Sequence, residues 1–132
     1  MIVSIEPGDV IPRLLEACPS FGPVFALVKD EHLDDAVPGG RLLYLDAAEF
    51  LRHIASLQLA RTTAEFDAIF DTIELFVLEG DDYVSNLGVI GFLEGLQMAT
   101  VTSLGIDPDQ TFRPWFRPVS AAWWRRINRF WA

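Results

Sequence analysis

The sequence predicts an all-α fold: one domain over residues 1–132, a bundle of five to six helices. Three observations predict it. Apolar residues recur at helical spacing along most of the chain. Two long helical segments, about 63–79 and 81–101, meet at Gly80, and so short a link forces an antiparallel central pair. The last residues form an amphipathic helix with one Trp-rich face and one Arg-rich face, fit to dock on a body.

The opening helix is expected over Asp9–Cys18, where Ile11, Leu14, Leu15 and Cys18 share a side and Pro19 ends it. Residues 21–35 read less clearly, with a short helix starting near Pro23. Val37-Pro38-Gly39-Gly40 is a loop. Asp46 with Glu49 three residues later suggests a capping box, and Phe50, Leu51, Ile54, Leu57 and Leu59 carry that helix on. Thr62 or Thr63 is expected to cap the next one. Phe66, Ile69, Phe70, Ile73, Phe76 and Val77 make its apolar face, and Asp67, Asp71 and Glu74 make an acidic one at i, i+4 and i+7. Gly80 then stops it.

Asp81 begins the longest predicted helix, apolar nearly all round and therefore central. Gly88, Gly91, Gly95 and Ala99 fall within an arc of about 80° at roughly 100° per residue. Glycine costs about 1 kcal/mol against alanine inside a helix, so such a stripe predicts a second helix crossing close by. Asp107-Pro108-Asp109 reads as a turn, Phe112–Pro118 as an irregular or one-turn segment, and Ser120 as the cap of the final helix. There Phe130, Trp123, Ile127, Trp131 and Trp124 occupy an arc of about 120°, opposite Arg125, Arg126 and Arg129.

Composition bounds the function. Hydrophobic residues make up 51% and aromatics 12%, which argues against disorder and supplies one core at this length. A lone Cys18 excludes an internal disulfide and a cysteine-rich zinc site. The opening residues lack the basic start of a secretory signal, and Glu79, Asp81 and Glu94 interrupt the longest apolar runs, so no membrane span is expected and the cytoplasm is the default.

Charge is distributed unevenly. The net charge is −9, yet residues 1–110 carry all 19 acids against five bases, and residues 111–132 carry five arginines, all four tryptophans and no acid. An acidic body joined to a basic, tryptophan-rich end clasps either itself or something else. A helix docked by Trp123, Trp124 and Trp131 is the first reading. An interfacial membrane helix and a single-stranded nucleic-acid arm are set back by the tail's shortness and by the body's repulsion of polyanions. Glu94, inside Phe92-Leu93-Glu94-Gly95-Leu96, is expected to need a cation, and Arg113 or Arg117 is the expected source.

Catalytic signatures are lacking. Gly88, Gly91 and Gly95 are followed by no Lys-Ser/Thr pair, and Cys18, His32 and His53 stand in no triad order. Glu31-His32-Leu33-Asp34-Asp35 has oxygen and imidazole donors without a ligand register, so no metal, cofactor or enzymatic activity is expected. His53 is expected at the surface.

Ile73–Val84, Val89–Gln97 with its Phe92-Leu93-Glu94-Gly95-Leu96-Gln97 core, and the ending Phe112–Ser120 with its Trp-rich helix together support a resemblance. Residues 45–132 resemble an uncharacterised family of small, acidic, helical bacterial proteins that look like immunity proteins of polymorphic or contact-dependent toxin systems. The acid-free tail departs from that family's pattern, in which acids accompany one or two terminal tryptophans. The resemblance implies a binder and carries no catalytic residues. The leading expectation is thus an immunity protein that neutralises a cognate toxin in the cytoplasm. An acidic surface suits a basic, nuclease-type toxin. The acids singled out are Asp67, Asp71 and Glu74, then Glu79, Asp81 and Asp82, and a second patch of Asp30, Glu31, Asp34 and Asp35. Neither nucleic acid nor membrane is expected as a partner. The alternative is a non-catalytic helical interaction or scaffold protein, homodimeric in one version; the oligomeric state stays open.

Overall fold

A computed structural model describes residues 3–98 and 104–131, the side chain of Trp131 excepted. The fold is all-α, with seven α-helices among the described residues and no named strand. They are α1 (Val10–Ala17), α2 (Gly22–Val28), α3 (Leu43–Leu59), α4 (Phe66–Glu79), α5 (Asp82–Asn86), α6 (Pro108–Phe112) and α7 (Pro118–Trp131). One-turn 3₁₀ segments at Pro7–Asp9, Pro19–Phe21, Pro38–Gly40 and Arg113–Trp115 each carry a proline in their first turn, where its missing N–H costs nothing.

The central segment differs from expectation. Instead of one α-helix from Asp81 to about Val101, α5 runs into a π-helix over Leu87–Glu94 and a 3₁₀ turn over Gly95–Gln97. Met98 is already extended, with ψ 164; Ala99–Val101 lie outside the described residues. The expected close neighbour is present, but it is two helices. A Cβ on Gly88 would stand 2.8 Å from Val77 Cγ2 and 3.3 Å from the Val77 backbone N of α4. Gly91 faces Tyr44 and Ala47 of α3, and Gly95 faces Leu51 of α3. The widened winding thus serves both sides of one buried segment, with Leu87, Phe92, Leu93 and Leu96 filling the core between them.

The reversal at Gly80 is as expected. Ser85 Oγ donates back to the Val77 carbonyl at 3.0 Å, and a Cβ on Gly80 would sit 2.7 Å from Val84 Cγ1. Gly80 itself is extended (φ −69, ψ 152), not left-handed. The N-terminal segment lies along this link: Ile5 N–H donates to the Glu79 carbonyl at 2.8 Å, and Asp81 N–H to the Ile5 carbonyl at 2.9 Å.

Helix starts also differ. α3 begins at Leu43, so Asp46 lies in its first turn, buried to 1% exposure, and does not cap it. Neither Thr62 nor Thr63 caps α4 by its side chain; Thr62 Oγ1 donates to the Leu57 carbonyl at 3.3 Å, closing the end of α3. Ser120 sits inside α7 and does not cap it by itself. Trp124 is fully buried against Phe116, with ring centroids 4.8 Å apart, so the tail docks through Trp124 as expected, while Phe130 of the same expected face is exposed and the side chain of Trp131 lies outside the described residues. Trp123 is half-buried. No single helix among the described residues is long and apolar enough to cross a membrane.

Candidate functional site

The tail's docking consumes three of the acids singled out as a partner surface. Arg117, just before α7, donates from Nη2 to Asp67 Oδ1 at 2.7 Å and to the Asp67 carbonyl at 3.1 Å, and its Nε lies 3.7 Å from Asp71 Oδ1. One turn along α4, Glu74 is buried to 6% exposure. Its Oε2 accepts from Val119 N at 3.1 Å, and its Oε1 from both Ser120 N and Ser120 Oγ at 2.7 Å. These N–H groups are the orphan donors of α7's first turn, so α4 supplies the cap that Ser120 was expected to provide. Asp67, Asp71 and Glu74 hold the tail; Glu74 is withdrawn from any partner.

Two acidic segments stay outward. The link between α4 and α5 presents Glu79 and Asp82; Asp81 beside them accepts from Val84 N at 2.9 Å and caps α5. The stretch between α2 and α3 presents Asp30, Glu31 and Asp35, while Asp34 turns back to accept from Ala36 N at 3.0 Å. Sequence alone left these as separate patches. Residues 5–9 join them: Ile5 pairs with the Glu79–Asp81 link, and two residues on, Pro7 packs against Gly39. Gly39 has φ +75, and a Cβ there would come within 3.0 Å of Pro7 Cβ, so only glycine fits this contact. Two residues reach about 7 Å, which puts both segments on one edge.

That edge is held from inside by Asp46. Arg41 donates to it from Nε (2.9 Å, Oδ2) and Nη2 (3.0 Å, Oδ1), and His32 Nδ1 donates to Oδ1 at 2.7 Å. Arg41 also donates to the Lys29 carbonyl at 2.6 Å and lies over the Phe25 ring at 4.7 Å. A buried carboxylate with three donors is satisfied, and it fixes both ends of the 29–41 stretch against α3. His32 is therefore a strut of the acidic stretch, and no metal-ligand cluster of three or more such side chains occurs among the described residues.

A second polar cluster lies beside α1. Ser20 Oγ is 2.8 Å from His53 Nε2 and donates to Glu65 Oε1, while Ser20 N donates to Glu65 Oε2 at 3.1 Å. Cys18 Sγ is 3.5 Å from the same hydroxyl. The hydroxyl has one proton, and a carboxylate only accepts, so His53 Nε2–H donates to Ser20. This is the reverse of an activated serine, in which histidine takes the hydroxyl proton. Burial pushes the Cys18 thiol up, which suppresses its thiolate. The cluster ties the Cys18–Phe21 turn to α3 and to the start of α4.

A family model matches residues 11–132 of the chain. The chain belongs to DUF7674, a domain of unknown function. No curated protein and no solved structure matches it.

Glu94 needs correcting in this DUF7674 chain. Arg117 is engaged with Asp67, and Arg113 lies 3.5 Å from Asp109, so neither serves Glu94. The reason is position along α7. Glu74 and Arg117 meet at its beginning, whereas Glu94 borders Trp123, Arg126 and Phe130, roughly one to three turns further on, at about 3.6 residues per turn. The DUF7674 residues that sequence reasoning missed are Asp46, Arg41, Ser20, His53 and Glu65. Arg41 with Asp46 at i, i+5 across a helix start was a usable signal. The Ser20–His53–Glu65 contacts join three separate segments and had none.

Proposed function

We propose that this chain is a non-catalytic binding protein of the immunity type, which neutralises a cognate toxin in the cytoplasm by holding it on the edge formed by Asp30, Glu31, Asp35, Glu79 and Asp82. One observation carries the reading. These five carboxylates are exposed and have no ion-pair partner among the described residues, while the tail's Arg113 and Arg117 are spent on Asp109, Asp67 and Asp71. The body's charge of −14 is thus relieved at the α4–α7 seam and left uncompensated along the edge. A rigid acidic edge steers a basic protein and speeds its docking. The anchoring of Arg41 and His32 on Asp46 supports this use, because a surface already ordered loses little entropy on binding.

The test is co-expression with a toxin encoded beside this chain, with growth as the readout and association of the purified pair as the check. Rescue and a stable complex are expected. The association rate should fall as ionic strength rises. Asp30→Asn, Glu31→Gln and Asp35→Asn combined should slow association without lowering the unfolding midpoint. Loss of rescue with a soluble, folded protein would remove the reading.

A further inference from the structure

Beside the contact of Gly91 and Gly95 with α3, the fold leaves a cavity of about 160 Å³. It persists because the residues on its walls are small: Ala48 and Ala55 on α3, Gly91 and Gly95 on the segment that faces it. Tyr44, Met98 and Leu104 also line it, and all three are left partly outward, at 39%, 41% and 46% exposure. Apolar groups left outward singly need no explanation, but gathered round a hollow they mark a binding site. Gly91 belongs to the π-wound stretch, a winding that is rare and recurs at functional sites.

Among the described residues, one charged side chain lines the cavity, Arg52. It is 52% exposed, and its Nη1 donates to Glu49 Oε1 at 2.5 Å. Its Nε and Nη2 make no bond among the described residues. That edge of a guanidinium holds a carboxylate by two parallel bonds. Arg41 does so in this same fold, where Nε and Nη2 reach Asp46 at 2.9 and 3.0 Å. A cationic ligand would be repelled by Arg52, and a wholly apolar one would strip water from the guanidinium without replacing it. The volume sets the size of the ligand's body, since an apolar cavity of roughly 150 Å³ accepts benzene. Tyr44 and Met98 suit a ring, through edge-to-face and sulfur contacts. The geometry points to this cavity as a binding site for a small aromatic carboxylate. The ring lies between α3 and the two glycines, and the carboxylate takes the Nε–Nη2 edge of Arg52. None of the five carboxylates of the acidic edge lines the cavity, so the inference is independent of the toxin-binding reading.

Titration of the full chain with phenylacetate tests it, read by calorimetry and by the methyl signal of Met98. Saturable binding is expected with a Kd of roughly 0.1–1 mM, the range for a ligand of so few atoms, and it should shift the Met98 signal. Arg52→Gln should weaken phenylacetate about tenfold and leave 2-phenylethanol, its uncharged counterpart, unchanged. Glu49→Gln should tighten phenylacetate about twofold to threefold, because it removes the exposed anion that competes for Arg52. Ala48→Leu fills the cavity and should abolish binding of both molecules. Should that variant fail to fold, the Met98 shift in the wild-type chain and the Arg52→Gln titration carry the test. A folded wild-type chain without saturable binding up to about 10 mM overturns the proposal, as does a Met98 signal that stays in place at saturation. A folded Ala48→Leu that binds as the wild type does, or an Arg52→Gln that loses nothing, overturns it equally. Hexanoate bound more tightly than phenylacetate would overturn the aromatic assignment.

Discussion

Glu74 of α4 caps α7 from outside: one carboxylate oxygen takes both the backbone N–H and the hydroxyl of Ser120, each at 2.7 Å. The pair is 46 residues apart in sequence, and it closes the seam on which the whole tail rests. The contact combines a charge-assisted bond with the positive end of a helix. Glu74→Ala should cost about 2–4 kcal/mol, since it strands the buried N–H of Ser120 and the half-buried N–H of Val119. Glu74→Gln keeps one acceptor oxygen and should cost about half as much, and Ser120→Ala about 1 kcal/mol. Urea denaturation at neutral pH reads all three. An alanine variant within about 0.5 kcal/mol of wild type, the range of ordinary surface changes, would show that the seam is held by packing alone.

That contact also shows where sequence reading stops. The periodicities were legible: the apolar face of α4, the buried Trp124 of α7 and the close neighbour of Gly88 all follow from spacing within one segment. The identity of the buried carboxylate was not. Glu94 sits in an apolar run and Glu74 on an acidic face with Asp67 and Asp71, so local pattern ranks Glu94 first. What decides burial is the segment that crosses each helix. α7 begins over Glu74 and ends near Glu94, and no spacing rule within either helix records this. Asp46 repeats the lesson: it looks like a cap until Arg41 and His32 are folded over it. The acidic edge was half legible, since its residues could be named while their union through Ile5 and Pro7 depends on a contact 75 residues away along the chain.

Acid should loosen the Ser20–His53–Glu65 cluster in two stages. Burial holds the His53 imidazole below its ordinary 6.5, against the pull of Glu65. The unfolded chain therefore takes up this proton first, and the contribution of His53 is present above pH 6.5 and lost as pH falls through that value. Burial alone would raise Glu65, but the Ser20 hydroxyl and N–H, Cys18 and His53 outweigh it and hold the carboxyl below its ordinary 4.5. Its contribution is present above 4.5 and lost as pH falls through the depressed value. Both changes have the same sign. His53→Gln should flatten the decline that begins near pH 6.5, and Glu65→Gln the one below 4.5. Unchanged slopes in thermal unfolding between pH 3.5 and 7.5 would count against the burial of this cluster.

The end of α3 carries a strain that one substitution relieves. Arg61 has φ +56, a conformation that costs a residue with a side chain about 1–2 kcal/mol. Its neighbours show why the chain accepts it: Thr62 N donates to the Leu57 carbonyl at 2.9 Å and Arg61 N to the Gln58 carbonyl at 3.0 Å, which together close the helix. Glycine is the residue this position favours. Arg61→Gly should raise stability by about 0.5–1 kcal/mol, because the exposed arginine makes no ion pair among the described residues that would offset the loss. A destabilised Arg61→Gly would mean that the arginine side chain does more at this turn than its geometry indicates.

Two glycines make opposite predictions for the same substitution. In a helix, alanine normally gains about 1 kcal/mol over glycine. At Gly22, the first residue of α2, an added Cβ meets nothing within 4 Å, so Gly22→Ala should be neutral or mildly stabilising. At Gly88 the added Cβ would stand 2.8 Å from Val77 Cγ2, and the Val77 backbone N behind it is only 3.3 Å away. The valine methyl can rotate aside, but the backbone of α4 can only be pushed back. The π-wound segment cannot retreat either, because Gly91 and Gly95 are already seated on α3. Gly88→Ala should therefore lose about 1–3 kcal/mol to overpacking in spite of the propensity gain. If α4 and the π-wound segment can separate freely, the two variants will instead be equally stable, and the close crossing will have no energetic consequence.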